Sequence, residues 1–146
     1  LNLDFKKVAS ESILNLRHKV LRAERPFSTA HFDADHLAST HHYVCLLDNK
    51  IVGCVSFMKK PHDFFKEKNA YQLRGMAVEE NHRGLNIGNQ LLAYGEIKMK
   101  SKNTNLIWCN VRTSAEKFYT KNYYLKVGDV FEIRDVGPHI LMYKKI

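Results

Sequence analysis

A chain of 146 residues, 45% of them hydrophobic, is long enough to bury about two thirds of its unfolded surface in one core, so one domain spanning residues 1–146 is expected. Lys and Arg number 23 against 15 Asp and Glu, and the resulting +8 suits nucleic acid, a membrane surface or a multiply phosphorylated small molecule without choosing among them. No apolar run approaches the roughly 20 residues that span a bilayer, no signal-peptide succession opens the chain, and the three cysteines form no C-x-x-C pair; the expectation is a cytoplasmic protein with reduced thiols, without a disulfide framework or thiolate metal site.

From Ser10 onward, Ile13, Leu14, Leu16, Val20 and Leu21 recur at roughly helical spacing until Arg25-Pro26 stops them, which predicts a first helix. His42 to Leu47 and Lys50 to Met58 are β-rich runs around Asp48-Asn49, a pair suited to a tight hairpin turn. Ala70 to Val78 reads as a third strand, and a helix from Ile87 to Lys100 follows, with Leu91, Leu92, Ile97 and Met99 as apolar positions. Asn105 to Val111 then reads as strand, Ser114 to Lys121 as helix, and Tyr124 to Ile133 with His139 to Lys145 as a closing strand pair. Pro26, Pro61 and Pro138 fall where periodicity breaks, and no repeat, low-complexity tract or Gly/Ser-rich linker divides the chain. The whole is mixed α/β.

The stretch MAVEENHRGLNIGNQLL, Met76 to Leu92, leads from strand into helix through a polar loop with two glycines. A helix entrance leaves its first N–H groups without intrahelical partners and carries roughly half a positive charge, so it suits an anion. Gly84 and Gly88 permit close approach of backbone to phosphate, Asn86 belongs to the few side chains that adopt left-handed backbone readily, and Arg83 adds a charged donor. A Gly-rich turn into an ordinary surface helix reads the same residues equally well.

The order of elements and this loop together resemble the GNAT superfamily of N-acetyltransferases, over most of the chain. The family's Arg/Gln-x-x-Gly-x-Gly/Ala signature is similar to Arg83-Gly84-Leu85-Asn86-Ile87-Gly88 after Val78, with Asn86 as the departure. Downstream, AEKFYTKNYY resembles the family's A-x-x-[LF]-Y-x-x-G-F segment, with Ala115, Phe118, Tyr119 and Tyr123 in place and Asn122 for Gly. The resemblance implies a mixed, mostly antiparallel sheet flanked by helices, whose central strands splay apart to admit acetyl-CoA. It further implies that Met76, Ala77 and Val78 hold the pantetheine arm through their backbone. The amides of Arg83, Gly84, Leu85, Asn86, Ile87, Gly88 and Asn89 would hold the pyrophosphate.

Acetyl transfer needs a neutral amine, stabilisation of the oxyanion and a proton for the departing thiolate. Tyr119 stands where the family places its usual proton donor. Gln72 and Arg74 occupy positions where some members carry a Glu or His base; neither is a base, and as acceptor contacts they favour an amine with an acid group beside it. His139, entering the last strand near the family's acceptor side, is the candidate base. Arg22 and Arg25, at the end of the first helix, are further candidate substrate contacts, and Arg112 takes the place of a frequent family Asn. The implied function is acetyl transfer from acetyl-CoA to a primary amine of a small molecule, by direct attack in a ternary complex. Cys109, inside an apolar strand without a neighbouring base in sequence, leaves a covalent route as the lesser option.

Acetylation of a protein or peptide is the rival within the enzyme class. From other classes come a CoA-binding domain without turnover and a basic nucleic-acid-binding domain. Lys and Arg are dispersed and no aromatic RNA-binding signature occurs, so neither nucleic acid nor membrane is expected as a partner. His31, Asp33, Asp35, His36, His41 and His42 are ligand types without the spacing of a metal motif, and no metal is expected. The sequence is compatible with a homodimer.

Overall fold

The computed structural model describes residues 2–146. Seven strands, β1 (Leu3–Val8), β2 (His41–Leu47), β3 (Lys50–Lys59), β4 (Ala70–Val78), β5 (Leu106–Arg112), β6 (Leu125–Ile133) and β7 (Gly137–Lys145), form one sheet in the order β1-β2-β3-β4-β5-β7-β6. Every neighbouring pair is antiparallel except β4 and β5. Alternation of side chains along β2 sends Tyr43 and Cys45 to one face and Val44 and Leu46 to the other, and each face is covered. On the first face α2 (Ile87–Lys100) buries Ile87, Leu91, Leu92 and Met99. On the second, α1 (Leu14–Leu21) packs Leu16 against Val44, Leu46, Cys54 and Ala77. A short third helix, α3 (Glu116–Lys121), follows β5 and lays Tyr119 on the α2 side.

The strands and helices expected from the periodicity are present within one or two residues, apart from two differences. The edge strand β1 was not among the expected elements. Leu3 and Phe5 pack on the α2-side core and Val8 on the α1-side core, with Phe5 stacked 5.4 Å from Tyr94, while Asp4, Lys6 and Lys7 carry the charge typical of an edge. The first helix is also shorter than expected. Ser10–Ser12 is a 3-10 turn and α1 ends at Leu21, so Arg22 is its C-cap and Arg25 lies in the loop beyond.

Two backbone features open the sheet. β4 and β5 pair only at Ala70/Leu106, Tyr71/Ile107 and Gln72/Trp108, then diverge, which leaves the β5-facing edge of β4 from Leu73 to Val78 without a strand partner. Within β4, Gly75 and Met76 together stand opposite Val55, a bulge with Gly75 at φ +67°. A side chain is excluded at Gly75 on two counts: its backbone is left-handed, and a Cβ would lie 2.9 Å from Arg17 Nε.

Candidate active site

The gap between β4 and β5 holds two cavities. One, of about 700 Å3, runs from Met76, Ala77 and Val78 to the loop preceding α2; the other, of about 420 Å3, lies on the α1 side of the gap. Tyr119 lines both.

The larger cavity is bordered by Arg83, Gly84, Asn86, Ile87, Gly88 and Asn89. Leu85, expected with them, does not line it and points out, 39% exposed. Asn86, at the departure from the glycine signature, adopts φ +63° as the N-cap of α2, so it supplies the left-handed turn that glycine would. Its side chain accepts a hydrogen bond from Asn89 Nδ2, Asn89 Oδ1 accepts one from Asn122 Nδ2 at 2.8 Å, and Asn122 Nδ2 also donates to the Phe118 carbonyl at 2.8 Å. Asn86 and Asn122 thus belong to one amide chain. It ties the anion loop to the helix that carries Tyr119.

The geometry corrects the register of the second motif. The left-handed residue after α3 is Tyr123, at φ +70° and 80% exposed, while Tyr124 is the buried aromatic, its hydroxyl donating to Glu96 Oε2 at 2.7 Å. Tyr123 therefore stands at the glycine position and Tyr124 at the aromatic one, one residue later than the sequence reading placed them. The cause is that α3 continues through Lys121, with Asn122 still close to helical as its C-cap.

Tyr119 is buried, which pushes its phenol well above its ordinary pKa, an effect reinforced by the neighbouring Cys109. The hydroxyl is thus loaded with its proton at every physiological pH. Burial likewise pushes the Cys109 thiol up to about 12, so only about one part in 10⁵ would be thiolate at pH 7.

The smaller cavity is lined by Gln72, Arg74, Arg22 and His139, together with Arg112, Lys60 and Phe32. Arg25 is not among them; it borders an outer recess together with Arg22 and Arg112. His139 Nδ1 is 2.7 Å from the Gly137 carbonyl, which can only accept, so the neutral ring carries its proton there and keeps the lone pair on Nε2. The lining contains no Asp or Glu.

Phe32 is the residue that sequence reading missed, and no periodic signal marks it in the irregular segment after the first helix. Its ring centroid lies 3.9 Å from the guanidinium carbons of both Arg17 and Arg74. Beneath it, the fully buried Arg17 makes a fork to Asp35 (2.7 and 3.1 Å) and donates to Ser56 Oγ (2.9 Å) and the Ala30 carbonyl (2.8 Å). Asp35 Oδ2 also accepts the Phe32 amide at 2.8 Å, and His42 bridges Ser56 Oγ and the Asp35 carbonyl. Asp35 and His42, noted above as metal-ligand types, are thus engaged in a buried ion-pair network that fixes one wall of the acceptor-side cavity.

A splayed parallel pair with an anion-suited loop at one mouth and a tyrosine at the junction defines an acyl-CoA-dependent transferase. The chain belongs to the Acetyltransferase (GNAT) family, whose model matches residues 10–123; it is an acetyl-CoA-dependent N-acetyltransferase. The Bacillus subtilis (strain 168) protein YitI, described as an uncharacterized N-acetyltransferase, is 29% identical over 144 residues, covering 99% of this chain and 97% of that one. Among solved structures, Escherichia coli ElaA superimposes with a TM-score of 0.77 at 17% identity, covering 97% of this chain and 99% of that one. An aminoglycoside 6'-N-acetyltransferase complexed with coenzyme A does so with 0.77 at 16% identity, covering 97% and 96%. At these identities the structures share the fold alone.

Proposed function

We propose that the protein transfers the acetyl group of acetyl-CoA to the primary amine of a small molecule by direct attack in a ternary complex. The unpaired edge of β4 at Met76, Ala77 and Val78 offers the pantetheine arm its backbone groups, and the amides from Arg83 to Asn89 hold the pyrophosphate. The amine enters from the acceptor-side cavity, with Gln72, Arg74 and Arg22 as contacts and His139 Nε2 taking its proton. Tyr119 hydrogen-bonds the developing thiolate and delivers a proton to it. Since its pKa lies above that of a thiol, its value rests on placement in a water-poor site.

The observation that carries this reading is the position of Tyr119, which lines both cavities where β4 and β5 part and belongs to the helix tied to the anion loop. Direct attack is favoured over an acetyl-cysteine because Cys109 is held as the thiol. A small acceptor fits a cavity of about 420 Å3, within the common range for small-molecule sites.

The test is a thiol-release assay with acetyl-CoA over amino acids, amino sugars, polyamines, aryl amines and peptides. Amine-dependent release with at least one small molecule is expected. Release only with peptides would move the assignment to protein acetylation, and acetyl-CoA binding without release on any amine would leave a binding protein.

A further inference from the structure

Three half-buried guanidiniums converge on the acceptor side. Arg22 Nη1 and Arg112 Nη2 donate to the same carbonyl, Leu21 O, at 3.1 and 3.3 Å. Arg22 and Arg74 both lie over the Phe32 ring, at 5.8 and 3.9 Å from its centroid. Arg22 therefore links the other two, and Lys60 adds a fourth cation to the cavity lining.

Among the described residues none of Arg22, Arg74 and Arg112 forms an ion pair; the one nearby carboxylate that is fully buried, Asp35, is taken by Arg17. Glu24 and Asp135 border the outer recess beyond Arg22 and Arg112, yet neither comes within ion-pair distance of an arginine. The arginines oppose each other's charge, and burial together with Arg112, Arg25 and Arg74 lowers the pKa of Arg22. A guanidinium is permanently charged and its planar fork matches carboxylate and phosphate oxygens, so three of them without an ion-pair partner suit an external anion.

From this juxtaposition we propose that the acceptor amine carries two acidic negative charges, as a phosphomonoester or as a pair of carboxylates, held by Arg22, Arg74 and Arg112. This deepens the proposed N-acetyltransfer to a small amine and rests on it for the role of the amine. The site itself stands on the arginine geometry. Arg112 lines the cofactor cavity as well, whereas Arg74 lines the acceptor cavity alone, so Arg74 separates acceptor recognition from binding of the cofactor's own phosphates.

The experiment uses two matched pairs, O-phosphoethanolamine with ethanolamine and L-aspartate with L-asparagine. Binding to the CoA-loaded protein is read by calorimetry and acetyl transfer by thiol release. O-Phosphoethanolamine or L-aspartate is expected to bind and its partner not to; whichever acid binds identifies the source of the charge. Arg74→Gln and Arg22→Gln are expected to weaken that binding by about 10- to 100-fold while acetyl-CoA affinity measured separately stays put. Equal binding within both pairs, no binding of either acid, or acid binding that survives both variants overturns the proposal. Acid binding without transfer to any amine upholds the anion site and overturns the N-acetyltransfer reading. Transfer to ethanolamine as efficient as to O-phosphoethanolamine, with aspartate and asparagine likewise equal, overturns the acid requirement and leaves the enzyme reading standing.

Discussion

Arg17→Met removes the guanidinium from the base of the acceptor wall and keeps a side chain of similar length. In the folded protein Arg17 and Asp35 both have fully buried side chains, so the variant strands a carboxylate that retains the Phe32 amide as its one remaining side-chain hydrogen bond. Breaking a buried pair by deleting one partner costs about 3–5 kcal/mol, because the surviving charge stays desolvated. At roughly 2–4 °C per kcal/mol for a chain of this size, Tm is expected to fall by about 6–20 °C. The double variant Arg17→Met/Asp35→Asn removes the stranded charge, and its loss should fall short of the sum of the two single losses by about 1–3 kcal/mol. Urea unfolding of the four proteins closes the cycle. Because Phe32 sits 3.9 Å from Arg17 and also carries Arg74, the acceptor KM should rise in Arg17→Met with little change in acetyl-CoA affinity. A cost below about 1 kcal/mol, or additive single variants, would refute the account of a coupled buried pair.

Three further outcomes follow from the structure. Tyr119→Phe keeps the ring and removes the hydroxyl, so kcat should drop by about 10²–10⁴ with acetyl-CoA affinity intact, measured across pH on the best acceptor; unchanged kcat would return Tyr119 to a packing role. A Cβ at Gly88 would lie 3.1 Å from Phe118 Cε1, and a β-branched side chain would reach further, so Gly88→Val should displace the loop and abolish the stabilisation by acetyl-CoA. In the wild type that stabilisation is worth about 2.7 kcal/mol at a hundredfold excess over Kd, and a thermal-shift titration reads it. Burial, with Lys7 and Lys102 nearby, pushes His41 down to about 4. As pH falls from about 6.5 to about 4 the unfolded chain takes up a proton that the folded one refuses; stability, intact above that window, should fall within it by no more than about 3 kcal/mol. In Tm-against-pH curves His41→Phe should flatten the slope in that window, and an unchanged slope would assign the acid sensitivity elsewhere.

The cofactor side was legible in the sequence because its chemistry is local. One strand, one loop and one helix entrance are contiguous from Ala70 to Lys100, and the departure at Asn86 is legible too, since asparagine tolerates left-handed backbone. The acceptor side was legible only in part. Gln72 and Arg74 share a strand face by simple alternation, and both line the cavity. Phe32 and the pairing of Arg17 with Asp35 depend on an irregular segment folding back over a strand bulge at Gly75, and no period in the sequence encodes that contact. The one-residue slip in AEKFYTKNYY has the same origin: two adjacent tyrosines just after a short helix leave two registers open until backbone φ decides between Asn122 and Tyr123.

The cations on the acceptor side bear on how the amine becomes reactive. An alkyl amine near pKa 10 is about one part in a thousand neutral at pH 7, and the lining offers no carboxylate base. On the proposed reading a doubly charged acid group offsets two of the three guanidiniums and leaves one positive charge unmatched. At about 8 Å and an effective dielectric constant near 20, that charge opposes an ammonium by about 2 kcal/mol, or roughly 1.5 pKa units. The neutral fraction rises about thirtyfold before any base acts, which brings the remaining proton within reach of an imidazole such as His139. An acidic base in the wall would act against this, since it would neutralise the arginines and stabilise the ammonium. Gln72 and Arg74, which place no carboxylate in the wall, are therefore consistent with a site that holds its acceptor by the acid end and raises the neutral fraction of the amine by charge.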